Sequence, residues 1–135
     1  MEIIYQLNTH QISQLHVLYQ SEWWTKGRTL EQTKQCVAGS QIIVGLVDSS
    51  GNLQGFTRVL TDYIFKALIF DVIVAQPHRG KGVGELLMNA IKQHPALSHV
   101  NSFELYCLPE MFEFYQKHGF SADVGDIQLM RLPVS

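Results

Sequence analysis

The sequence predicts a mixed α/β fold: a central, mostly antiparallel sheet of about six to seven strands with helices on both faces. Three observations predict it. Apolar runs of strand length alternate with helical periodicities in the order β-α-α-β-β-β-α-β-α-β-β. The turn Asp48-Ser49-Ser50-Gly51-Asn52 has hairpin chemistry, so the strands on either side pair antiparallel. The stretch 70–90, FDVIVAQPHRGKGVGELLMNA, passes from a β-branched run through a glycine turn into a helical pattern.

The elements follow in order. Residues 2–7 alternate weakly and read as a first strand. Asn8 or Thr9 caps a helix whose apolar positions are Ile12, Leu15, Leu18 and Tyr19. An aromatic and charged segment follows, Ser21-Glu22-Trp23-Trp24-Thr25-Lys26-Gly27-Arg28. Thr29 and Gln32 then have capping-box spacing and open a second helix to about Val37, ended by Gly39-Ser40. Strands are expected at 42–47, 53–60 and 66–75, the last two joined by a turn around Thr61-Asp62-Tyr63. Pro77 stops the third of these. Beyond Gly80, Gly82 and Gly84, a helix buries Val83, Leu86, Leu87, Ala90 and Ile91. A crossover returns to a parallel strand at 102–107. Pro109 suits the first turn of a helix carrying Met111, Phe112, Phe114 and Tyr115, and Gly119 ends it. A final strand is expected at 127–132, paired with a short one at 121–124.

Composition narrows the function classes. A chain of 135 residues, 46% hydrophobic and 16% charged, reads as one globular domain spanning 1–135. A net charge of −2 argues against nucleic acid or a membrane surface as partner. The two cysteines, Cys36 and Cys107, suggest no disulfide framework. The start MEIIYQLNTH lacks the features of a signal peptide, and no apolar run reaches the roughly 20 residues of a membrane span. A cytoplasmic protein is expected. The six histidines show no ligand spacing, so no metal is expected.

A strand, a glycine turn and a helix start together form an anion site: glycines let the backbone approach a phosphate, and first-turn amides point at it. Arg79 and Lys81 add cations beside those amides. The spelling Arg79-Gly80-Lys81-Gly82-Val83-Gly84 is neither a dinucleotide fingerprint nor a Walker loop. Its R-x-x-G-x-G resembles the pyrophosphate loop of the GNAT superfamily of acyl-CoA-dependent N-acetyltransferases. Phe114-Tyr115-Gln116-Lys117-His118-Gly119-Phe120 resembles the family's F-Y-x-x-x-G-F element, and the element order matches as well. The resemblance covers roughly residues 40–132. It departs at Leu108, where many members carry an asparagine that bonds the pantetheine.

The resemblance implies acetyl-CoA as co-substrate, bound by Ile73, Val74, Arg79, Gly80, Lys81, Gly82, Val83 and Gly84. It also implies a sheet splayed between strands 4 and 5, with the pantetheine bonding open backbone near Ile73 and Val74. Tyr115 occupies the general-acid position that the resemblance implies; as a bare sequence feature it reads instead as an aromatic on a packing face, like Phe112 and Phe114. Asp71 lies inside an apolar run, where burial raises a carboxyl toward the range of a base. It reads either as that base or as a structural carboxylate. Trp23, Trp24, Arg28 and Arg58, with Asp62 and Tyr63 beside them, are candidates for the acceptor wall, and the two arginines suit a carboxylate or phosphate on the acceptor. Cys107 as an acyl carrier is disfavoured, since no base is paired with it. The expected activity is acetyl transfer to a primary amine of a small molecule by direct attack in a ternary complex. A protein acceptor, or a non-catalytic acyl-CoA sensor, is the alternative. Exposed strand edges permit a homodimer.

Overall fold

A computed structural model of the chain describes residues 1–134. It falls into two compact units, residues 1–105 and residues from 106 onward. The first holds a five-stranded sheet in the order β1-β2-β3-β4-β5, with β1 Glu2–Ile4, β2 Ile42–Val47, β3 Leu53–Thr61, β4 Lys66–Val74 and β5 Ser102–Leu105. The first four strands are antiparallel neighbours, and β4 with β5 is the one parallel pair. The β2–β3 turn forms as its chemistry demands: the Asp48 carboxylate accepts from the amides of Ser50 and Asn52, and Gly51 takes the left-handed conformation.

Every residue of β2 is buried, which requires cover on both faces of the sheet. On one face Leu15 and Tyr19 of α1, Thr9–Gln20, pack with Ile43, Val47, Phe56 and Ile73. On the other lies α3, Val83–Lys92. There a Cβ on Gly55 would stand 3.4 Å from both Leu87 and Val83, so the missing side chain lets the helix sit close. The helices start where their caps direct. Asn8 and Gln11 form a reciprocal capping box for α1, and Thr29 and Gln32 do the same for α2, Leu30–Ala38.

Several expectations need correction. β1 and β5 are shorter than read from sequence. The buried face of α3 uses Met88 in place of Leu86, which is exposed. The sheet has five strands and not six or seven, because residues 121–134 form no strand. The alternation at 127–132 is suited to a strand, but a strand also needs a neighbouring ladder, which a period-2 pattern does not specify. In the second unit a 3-10 turn, Pro109–Met111, leads into the short α4, Phe112–Gln116. Gly119 follows at φ 92°, and the Phe120 amide closes back on the Tyr115 carbonyl at 3.1 Å, as the glycine stop predicts.

Leu87 is fully buried and lies against Gly55 of β3, so it helps seat α3 on the sheet. Leu87→Ala is expected to cost about 3 kcal/mol in urea unfolding, whereas Val17→Ala on the exposed side of α1 changes stability by less than about 0.5 kcal/mol.

Candidate active site

The site is built from the C-terminal half of β4. The ladder to β5 ends at Ile69 and Leu105, so residues 70–74 have β3 as their strand neighbour on one side and no β5 partner on the other. This is the splay that the family resemblance implies. Within that half, the β3–β4 register shifts. Phe56 faces Ile73 and Arg58 faces Phe70, leaving Thr57 opposite two residues, Asp71 and Val72. Asp71 is the bulged residue at φ 56°, a conformation rare outside glycine, and the Thr57 hydroxyl donates to the Phe70 carbonyl at 2.9 Å beside it.

The bulge turns the Asp71 side chain into the layer between sheet and helices, where it is 5% exposed. Four donors meet it there. Arg28 donates from both terminal nitrogens, at 2.6 and 3.2 Å, Arg58 donates from Nε at 2.7 Å, and the Tyr19 hydroxyl donates at 2.9 Å. The Arg28 guanidinium also stacks 4.5 Å over the Tyr19 ring. Burial by itself would raise the Asp71 carboxyl. The hydrogen bonds and charges of the two arginines outweigh it and hold the group below the ordinary carboxylate value. The sequence-based expectation of a raised value is thus reversed, and a carboxylate so held is a weak proton acceptor. Burial and Asp71 together push the Tyr19 phenol well above its ordinary value, so it keeps its proton and donates it to the carboxylate.

This cluster also fixes the segment between α1 and α2. Arg28 ties its far end to β4. The Thr25 hydroxyl donates to the Tyr19 carbonyl at 2.7 Å, and Glu22 forms an ion pair with Arg79. Between these anchors stand Trp23, 73% exposed, and Trp24, 40% exposed. Neither tryptophan belongs to the core. An open cleft of about 480 Å³ lies beside Arg28, lined further by Gln32, Gln35 and Cys36.

After β4 a 3-10 turn, Gln76–His78, leads to the glycines. Gly80 and Gly82 adopt φ 75° and 80°, and Gly82 is the N-cap of α3. No side chain caps that helix, so its first-turn amides are open to an anion. Lys81 is exposed beside them. Arg79 differs from the free cation expected: its Nε donates to the Val74 carbonyl at 3.0 Å while its terminal nitrogen pairs with Glu22. The structure therefore brings Ile73, Val74 and the 79–84 turn together with Asp71, Arg28, Arg58 and the tryptophans in one unit.

The model of the acetyltransferase (GNAT) domain matches residues 38–122. The chain belongs to the GNAT acetyltransferase family. It is an acetyl-CoA-dependent acyltransferase by that membership. The chain is 32% identical over 132 residues to an uncharacterized N-acetyltransferase, ycf52, of Porphyra purpurea, covering 94% of this chain and 75% of the relative. A crystal structure from Xanthomonas campestris pv. campestris, of an acetyltransferase assigned to the GNAT family, superposes with a TM-score of 0.82 at 28% identity, over 99% of this chain and 94% of that one. An aminoglycoside 6'-N-acetyltransferase complexed with coenzyme A shares the fold, with a TM-score of 0.67 at 20% identity over 78% of this chain and 61% of that one.

In the second unit, the GNAT motif tyrosine, Tyr115, is buried and stacks edge-on with Phe114 and Phe120. Burial first, and the neighbouring Cys107, push its phenol up to about 12, so it keeps its proton at physiological pH. Burial likewise pushes the Cys107 thiol up, which weakens it as a nucleophile. No group of three or more metal-ligating side chains occurs among the described residues. No described helix is long and apolar enough to cross a membrane.

Sequence reasoning missed Tyr19, Thr25 and Glu22. The helical spacing puts Tyr19 on the packing face of α1, and no local signal distinguishes a phenol that packs from one that packs and donates.

Asp71→Asn is expected to destabilise the fold by about 3 kcal/mol, because two guanidiniums lose their charge partner. The native carboxyl sits below its unfolded value of about 3.9, so its stabilisation is present above that pH and is lost as pH falls through the native value. Urea midpoints between pH 7 and pH 3 should therefore fall more steeply for the wild type than for the asparagine variant.

Proposed function

We propose that the chain, as one acetyltransferase domain over residues 1–135, transfers the acetyl group of acetyl-CoA to a primary amine of a small molecule by direct attack. The observation that carries this reading is the uncapped, glycine-started helix α3 immediately after the half of β4 that β5 leaves unpaired. The amides of Val83 and Gly84, with Lys81 and Arg79 beside them, would hold the diphosphate. The backbone at Ile73 and Val74 would pair with the pantetheine and polarise the thioester carbonyl. The amine nitrogen attacks the acetyl carbon, the C–S bond breaks, and the departing thiolate takes a proton from Tyr115, assigned here from its motif and its protonated phenol. The amide nitrogen formed loses its extra proton to water, and the Tyr115 phenolate takes a proton back from solvent, which closes the proton balance.

Asp71 acts by position and charge. It holds Arg28 and Arg58, which together exceed its charge by one and favour an acceptor bearing a carboxylate or phosphate. Trp23 and Trp24 supply apolar surface for the acceptor's body. This scale of recognition suits a metabolite-sized amine better than a protein surface. The free thiols of Cys36 and Cys107 support a reducing, cytoplasm-like compartment.

Thiol release from acetyl-CoA with a panel of small primary amines tests the reading. Turnover is expected with amines carrying an anionic group, and Tyr115→Phe should lower kcat about 100-fold with KM for acetyl-CoA unchanged. Gly82→Ala should weaken coenzyme A binding in calorimetry at least tenfold, since alanine disfavours the left-handed conformation found there. Binding without release for any amine would reduce the chain to an acyl-CoA sensor.

A further inference from the structure

The main chain of β4 reverses its facing part-way along. Just ahead of the strand the Phe65 carbonyl accepts from the Asn101 and Ser102 amides at 3.0 and 3.3 Å, so Phe65 directs its peptide groups toward β5. Facing alternates residue by residue, and a regular strand would turn residues 67, 69, 71, 73 and 75 the same way. At the far end the opposite holds. The Ala75 amide donates to the Gln54 carbonyl of β3 at 2.8 Å, so Ala75 faces β3 and Val74 faces away from it. In keeping with this, the Val74 carbonyl accepts from Arg79 Nε at 3.0 Å. One extra residue causes the reversal. With a period of two, the insertion of Asp71 exchanges the groups that face β3 with those that face the edge beyond the end of the β5 ladder. Without it the Val74 N–H would point at β3.

Two neighbours on β3 hold this bulge. Arg58 grips the Asp71 carboxylate, and Thr57 grips the backbone. Gln54 faces β4, so by the same alternation Thr57 turns its own N–H and C=O toward Val44 of β2. Its hydroxyl supplies β4 with a bond instead, donating to the Phe70 carbonyl at 2.9 Å. That carbonyl belongs to the planar Phe70–Asp71 peptide, and fixing the plane restrains φ of Asp71, which stands at 56°. Thr57 is fully buried, a place where valine has nearly the same shape and no polar atom to satisfy. Packing alone gives no reason for a hydroxyl there. We propose that Thr57 is a positioning residue for acetyl transfer: its hydroxyl holds the bulge, and the bulge keeps the Val74 N–H turned to the acetyl carbonyl. This rests on the acetyl-transfer reading above and narrows it, since Ile73 by the same alternation faces Phe56 and leaves Val74 as the donor.

Amide hydrogen exchange and steady-state kinetics on the full chain test this. In the wild type the Val74 amide is expected to exchange at least about tenfold faster than that of Ala75, and to slow when acetyl-CoA is added. Thr57→Val is expected to lower kcat about 30-fold with KM for acetyl-CoA within about twofold, and to bring the two exchange rates together. Thr57→Ser keeps the hydroxyl and should restore kcat to within about threefold of the wild type, a rescue that a mere filler of space would not show. An Ala75 amide that exchanges faster than Val74 in the wild type would overturn the proposal without any variant. So would a Thr57→Val chain with wild-type kcat and exchange, a rise in KM alone, or a serine variant as slow as the valine one. A wild type that releases no thiol with any amine would sink the acetyl-transfer reading separately. The exchange rates then decide the role of Thr57: loss of the Val74–Ala75 contrast in Thr57→Val supports its hold on the bulge, and persistence of the contrast overturns it.

Discussion

A single carboxylate holds the site together. Asp71 occupies a left-handed bulge in the middle of a strand, a backbone state with a cost that packing alone does not repay. Its neighbours compensate: four charge-assisted hydrogen bonds from Tyr19, Arg28 and Arg58 converge on it, three of them from guanidinium nitrogens. Those bonds do more than neutralise a buried charge. They join α1, the segment after it, β3 and β4 at one point, just before the strand turns toward the glycines. Removing the carboxylate would leave two guanidiniums without their partner and the bulge without its reason.

The segment between α1 and α2 is tied down at its ends and exposed between them. Arg28 fixes one end to the bulge, and Glu22 fixes the other to Arg79 at the glycine turn. Arg79 therefore links the glycine turn, proposed above to hold the diphosphate, to the segment that carries Trp23 and Trp24. A multiply charged diphosphate reaching Arg79 would compete with one half-buried carboxylate, Glu22, a contest decided by charge and by the amides next to it.

Much of this was legible in the sequence because it is local. The capping boxes at Asn8 and Thr29 lie within three residues, the Asp48 turn closes on itself, and the start of α3 needs its glycines in order. The resemblance to the GNAT family, carried by the R-x-x-G-x-G turn and the F-Y-x-x-x-G-F element, is confirmed by the family match. Asp71 stood out as an anomaly, but its partners were invisible: Tyr19 and Arg28 lie 52 and 43 residues away. Without them, burial was the one influence that could be weighed, and it points the wrong way for this carboxyl. The strand expected at 127–132 failed for a related reason, since alternation identifies what can become a strand and not what it pairs with.

The most direct measurement is an amide chemical-shift map of the wild-type chain titrated with acetyl-CoA. The largest shifts are expected along residues 72–74 and 79–85, with smaller ones at Glu22 and Trp23 as Arg79 changes partner. Shifts confined to the cleft of about 470 Å³ at the other end of the sheet, among Tyr5, Ile42 and His94, would contradict it if the glycine turn stayed unmoved.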